Sequence, residues 1–160
     1  MFIFLLFRHF WIVLILMSCL NSYGLRIESK KYIAHDPSLR PGYEKLIKAT
    51  LIYFNIPWII MGIGTLSSFT NNPTDYFNID SGNSFVVVFY LYFIILWTTG
   101  IRWIFFKDGA AFLEKHPGMF RGERFGSSAT PARQIKIFFG ALTVVVFIRL
   151  VVFCLSYFSL

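Results

Sequence analysis

The stretch Ser84–Phe106, SFVVVFYLYFIILWTTGIRWIFF, runs for 23 residues with a single charge, Arg102, near its end. About 20 mainly apolar residues in helical form cross the roughly 30 Å of bilayer hydrocarbon. This segment is therefore read as a transmembrane helix, and the rest of the chain is read around it. Three further stretches have the same character: Phe2–Leu20, Ala49–Phe69 and Ile137–Phe158, of 19, 21 and 22 residues. The four together take 85 of the 160 residues, which leaves polar connections and no room for a soluble domain. Composition agrees, with 56% apolar, 20% aromatic and 14% charged residues. A water-soluble domain is about 45–50% apolar and about 25% charged, so a soluble globule and a disordered chain are both excluded. The expected fold is all-α, one multi-pass domain over residues 1–160 with four transmembrane helices and a short cytoplasmic interfacial helix.

Leu16-Met17-Ser18-Cys19 has some likeness to a lipoprotein cleavage box. Against cleavage, the chain starts Met-Phe-Ile-Phe-Leu-Leu-Phe and meets its first cation only at Arg8, whereas a signal peptide begins with positive charge. A retained first helix is the expectation.

Charge sets the orientation, because Lys and Arg in short loops stay on the cytoplasmic side. Asn21–Lys48 carries Arg26, Lys30, Lys31, Arg40, Lys45 and Lys48, and Lys107–Lys136 carries six more, while Thr70–Asn83 carries none. Both basic connections then face the cytoplasm and both termini lie outside, in the simplest setting a bacterial inner membrane. The net charge of +7 follows from this topology and calls for no nucleic acid. The partners expected from it are anionic headgroups at the cytoplasmic face, a membrane-protein partner or further copies of the chain.

Within the connections, Asp36–Tyr43 is turn-rich and Pro41 is placed to open a helix, where its missing donor costs nothing. Asn55-Ile56-Pro57-Trp58 interrupts the second span. Proline there removes a backbone hydrogen bond, so a kink is expected, with Asn55 satisfying a freed group. Gly62, Gly64 and Ser68 follow, small residues that let another helix approach closely, the last two with small-xxx-small spacing. In the acidic outer loop, Asn71-Asn72-Pro73 and Asp80-Ser81-Gly82-Asn83 read as turns around Thr74–Ile79. After the third span, Asp108 is expected to cap a short helix from Gly109 to about His116, stopped by Pro117-Gly118. Phe112 and Leu113 would face lipid, and Glu114 and Lys115 water. Met119–Gly126 alternates Phe120 and Phe125 with Arg121 and Arg124, a pattern suited to anionic headgroups. Thr130-Pro131 is a good start for the fourth helix. No internal repeat is visible.

Two arginines fall within spans. Arg149 lies about 18 Å from Ile137 and about 13 Å from Phe158, near the bilayer centre. The fifteen Leu, Ile, Phe and Val residues of that span outweigh the roughly 2.5–3.5 kcal/mol cost of a central Arg. No span holds an Asp or Glu to pair with it. Arg8, His9 and Arg149 are therefore the candidate site, a positive recess beneath Thr70–Asn83 for an anionic group. Snorkelling of each Arg to the outer surface is the plainer alternative.

Signs of chemistry are few. His9, His35 and His116 lie at different depths, which speaks against a shared metal or a haem, and Cys19 and Cys154 fall at opposite ends of the bundle. Asp108-Gly109-Ala110-Ala111 resembles the start of the acidic motif of lipid-headgroup phosphotransferases, but Phe112-Leu113-Glu114-Lys115 follows where that motif has further carboxylates. Gly118, Gly122 and Gly126 recur without a Walker lysine, and no hydrolase or metalloprotease motif is present. No cofactor and no catalysis are expected. The functional expectation is a non-enzymatic accessory or assembly subunit packing against a larger membrane complex. Alternatives are a small oligomeric transporter or channel using Arg149 and the Pro57 kink, or an immunity-type membrane protein.

Overall fold

The computed structural model describes residues 8–71, 73–78, 82–119 and 129–158, with the backbone alone at 149–150 and 152–158. The start of the first span, Asp80 and the Phe120–Gly126 part of the headgroup segment lie outside the described residues, as do the Arg149 and Cys154 side chains. Among the described residues the secondary structure is wholly helical. Three helical segments are long and apolar enough to cross a membrane: Phe10–His35, Pro37–Leu66 and Ser84–Phe106. The chain divides into two compact units, Met1–Thr99 and Gly100–Leu160.

In the first unit, helix α1 spans Phe10–His35 without interruption. The basic connection expected as a loop from Asn21 is thus mostly helix. The physical reason is a buried seam at helical spacing: Ser22, Leu25 and Ser29 face inward on α1, and Tyr43, Leu46 and Thr50 do so on α2, Arg40–Tyr53. Tyr32 stacks on Tyr43 with ring centroids 6.2 Å apart, which holds the two helices together at their joined end. The true connection is short. Asp36 accepts a hydrogen bond from Ser38 N at 3.0 Å, and one 3-10 turn, Pro37–Leu39, leads into α2 with Pro41 in its first turn. The cations stay on the outside of this hairpin, where Arg26, Lys30, Lys31, Arg40, Lys45 and Lys48 are all exposed.

Past α2 the chain turns at Phe54-Asn55 and resumes as α3, Ile56–Leu66. Gly62 meets α1 directly: a Cβ there would stand 2.8 Å from the Trp11 ring. Gly64 meets the outer loop, since a Cβ would lie 1.9 Å from the Tyr76 hydroxyl. The expected Gly64 and Ser68 pair does not act together. Ser68 is exposed with φ 59°, and it ends the helix so that Phe69 N and Thr70 N both donate to Gly64 O, at 3.0 and 3.1 Å.

The outer loop folds back onto the helices. Its 3-10 turn, Pro73–Phe77, inserts Tyr76 fully buried, with the hydroxyl donating to Ile60 O at 3.3 Å. Tyr76, Met61, Val86 and Phe89 form a buried cluster with Trp11, Trp58, Ile60, Phe85 and Tyr90 packed around it. Helix α4, Ser84–Phe106, supplies an aromatic ladder at one-turn spacing. Phe85 stacks on Phe69 at 4.8 Å, Phe89 meets Tyr76 edge-on at 5.1 Å, and Phe93 meets Phe89 at 4.9 Å and Trp58 at 6.1 Å.

In the second unit, the end of α4 turns sharply into α5, Gly109–Lys115. Asp108 does not cap this helix with its side chain. It takes the left-handed region, φ 55°, and its backbone carbonyl accepts from Phe112 N at 2.8 Å. Gly109 sits so close that a Cβ would lie 2.7 Å from Trp103 O and 2.6 Å from its ring, which leaves space for glycine alone. The expected lipid-facing side of α5 also needs correction. Leu113 is buried with Ala110, and Phe112 lies between Trp103 at 5.8 Å and the stacked His116 ring at 4.1 Å. Seven residues are too few to hold an apolar face on their own, and packing against the last helix, α6, gives that face its cover. α6 spans Ala132–Phe158, and Pro131 O receives its first amide bonds, from Gln134 N and Ile135 N at 2.9 and 3.1 Å. Ile135 is buried, and Gly140 faces Phe105, a Cβ there standing 3.8 Å from the ring.

Candidate functional site

The best-defined polar feature inside the apolar segments is the joint between α2 and α3. Proline at position 57 has no N–H to donate to Tyr53 O, four residues back. The Tyr92 hydroxyl of α4 takes that carbonyl at 2.8 Å. One turn earlier the backbone tightens, with Asn55 N donating to Ile52 O at 3.2 Å. Leu51 O, left over by that shift, accepts from Asn55 Nδ2 at 2.6 Å. Asn55 satisfies a freed group, as its sequence position suggests, and Tyr92 satisfies the other. Asn55 is buried and its Oδ1 has no hydrogen-bond partner among the described residues; the same holds for Ser18 Oγ, Trp11 Nε1 and Trp97 Nε1. No sequence signal marks Tyr92, because its role depends on which residue of a distant helix lies opposite Tyr53.

The structure places Arg8 and His9 side by side at the head of α1. Arg8 is exposed, and His9 holds the cap position through its backbone, its carbonyl accepting from Ile12 N at 2.9 Å. Asp75 of the outer loop accepts from Asn71 N at 2.8 Å and so helps close its own turn. Arg149 falls in α6, and its expected meeting with Arg8 and His9 turns on a side chain outside the described residues.

Tyr76 is the residue of the outer loop that the sequence reading missed. Burial pushes its phenol above the ordinary value of 10.0; the Asp75 charge adds to the rise and a hydrogen bond with Thr70 opposes it. A tyrosine placed between turn signals gives no sign of being core, although Gly62 and Gly64 do mark the surface where something approaches. His116 is buried, its Nδ1 2.8 Å from Phe112 O, whereas His35 is exposed at the end of α1 and Cys19 is half-buried on that helix. Among the described residues, no group of three or more His, Cys, Asp or Glu is arranged to hold a metal ion. No protein-family model, curated protein or solved structure matches the chain.

Proposed function

We propose that this protein is a non-enzymatic accessory or assembly subunit of a larger membrane complex, crossing a bacterial inner membrane four times with both termini outside. The fourth crossing in this reading is α6, whose 27 residues include the apolar run Ile137–Phe158. The orientation follows from the basic residues of the α1–α2 hairpin and the Lys107–Lys136 connection, set against an outer loop without Lys or Arg.

The observation that carries the reading is how the polar side chains of the long helices are used. Ser22, Thr50, Thr65, Thr98 and Thr143 each donate to a carbonyl one turn back on the same helix, at 2.7 to 3.0 Å. Asn55 Nδ2 and the Tyr92 hydroxyl are spent on the kink. A route for an ion or polar solute needs donors and acceptors turned toward it. These groups instead serve the chain's own backbone, as they would in a protein that packs. The outward faces of α4 and α6 suit a lipid or a neighbouring helix, with Ile94, Ile95, Val144 and Phe147 all more than half exposed.

Purification of the tagged chain in mild detergent tests the reading. A co-purifying membrane subunit in fixed stoichiometry is the expected result. A homo-oligomer that conducts anions, with flux abolished by Arg149→Ala, would replace it by the transport reading. An immunity-type role would show instead as protection of the host cell against a toxin, with no permanent partner.

A further inference from the structure

Two buried polar atoms meet the contact between α1 and the joint of α2 with α3. Asn55 is 7% exposed, and its Oδ1 and Ser18 Oγ are both closed to solvent, without a hydrogen-bond partner among the described residues. Contacts on either side place the two residues opposite each other. Toward one end, the Trp11 ring of α1 lies against Gly62 of α3. Ser18 comes seven residues after Trp11, and Asn55 seven before Gly62. Seven residues make about two turns, so on antiparallel helices each step of about 10.5 Å keeps both the face and the level. Asn55 stays in that helical frame, with φ −93° and ψ −23°, and its carbonyl accepts from Ile59 N at 3.0 Å. Toward the other end, the buried Ser22, Leu25 and Ser29 continue the Ser18 face of α1 to the stack of Tyr32 on Tyr43.

Ser18 and Asn55 are complementary as donor and acceptor, but neither side chain reaches across. The Asn55 carboxamide lies along its own helix, where Nδ2 donates to Leu51 O at 2.6 Å. Serine is too short to span the rest of the distance between packed helices, about 8–10 Å from axis to axis. Further donors end at the same joint. The first four N–H groups of a helix have no partner within it. Of those in α3, Asn55 N is spent on Ile52 O and Pro57 has none, which leaves Ile56 and Trp58 N–H to be served from outside the helix. Buried polar atoms left unmatched in apolar surroundings are costly, and a water with two to four polar partners removes that cost.

We propose that one internal water joins the middle of α1 to the Pro57 kink. It donates to Asn55 Oδ1 and accepts from the Ser18 hydroxyl, with a first-turn N–H of α3 as a further partner. Two atoms closed to solvent admit nothing larger, so a lipid headgroup or a partner's side chain does not serve here. The site depends neither on the orientation in the membrane nor on a partner subunit, and it stands or falls apart from the accessory reading.

The thermal midpoint of the full chain in detergent tests it. Ser18→Ala should lower the midpoint by about 2–4 °C, the shift expected for one buried hydrogen bond in a chain of this size. In an Asn55→Leu background the same change should cost much less. Ser18→Asn, whose longer side chain displaces the water and meets Asn55 Oδ1 itself, should keep the parent midpoint. Ser18→Leu, of similar size without the polar atoms, should lower it at least as far as Ser18→Ala. A crystal structure of the full chain in a lipid phase should show one water peak about 2.7–3.2 Å from both atoms. Equal losses from Ser18→Ala in the two backgrounds would overturn the site, as would equal midpoints for Ser18→Asn and Ser18→Leu. Electron density with no peak there, or with the two side chains in direct contact, would overturn the water.

Discussion

Pro57 cannot offer an amide hydrogen to Tyr53 O, and the chain answers with a hydroxyl from another helix at 2.8 Å. A neutral hydrogen bond of this kind contributes about 0.5–1.5 kcal/mol net, and stranding a buried carbonyl costs about 1–3 kcal/mol. Tyr92→Phe should therefore destabilise the protein by about 1 kcal/mol, read as a lower thermal midpoint in detergent. In a Pro57→Ala background the restored amide can serve Tyr53 O, so the same Tyr92→Phe change should cost much less. A double-mutant cycle without coupling would disprove the link between the two residues. Asn55→Leu strands Leu51 O in the same way and should cost a comparable amount. Tyr76 belongs to this scale too. With its folded-state phenol pKa raised, the neutral form is favoured in the native protein, so its stabilisation is present below about pH 10 and lost as the pH climbs through the raised value. The thermal midpoint should fall more steeply above pH 10 in the parent than in Tyr76→Phe.

At the scale of elements, the outer loop is a plug whose stability depends on Gly64. A methyl group at that position would lie 1.9 Å from the Tyr76 hydroxyl, closer than any real contact. Gly64→Ala should expel or tilt Tyr76 at a cost of about 1–3 kcal/mol, the usual range for overpacking. Removing the hydroxyl as well, in Gly64→Ala with Tyr76→Phe, should recover part of the loss, and a further decrease would argue against this packing. The α1–α2 hairpin shows a different relation between pattern and structure. Its seam residues Ser22, Leu25, Ser29, Tyr43 and Leu46 are spaced for a helix, but three of the five are polar or amphipathic. Hydropathy therefore points to a loop where side-chain periodicity makes two packed helices. α5 is the opposite case: its extent is plain from Asp108, Pro117 and Gly118, while its facing is decided by Trp103 and by α6.

For the whole molecule, the orientation proposed from charge has a direct check. A thiol reagent that cannot cross the bilayer should label a Cys introduced at Asn72 in intact cells and leave one at Ser127 unlabelled until the membrane is opened. The reverse pattern would invert the protein, and labelling of both would remove a crossing. Apolar length and the gathering of Lys and Arg in two of the connections can be read directly from the chain, because they depend on composition over windows as long as the bilayer is thick. Helical class, the bounds of α4, the break at Pro57 and the role of Asn55 were legible for related reasons, each being a local property of the backbone or of one turn. The partner of Tyr53 O, the burial of Tyr76, which residues close on Gly62 and Gly64 and the inward turn of Leu113 were not. Each depends on what another segment presents across a contact, and residues far apart in sequence become neighbours only once the helices have packed.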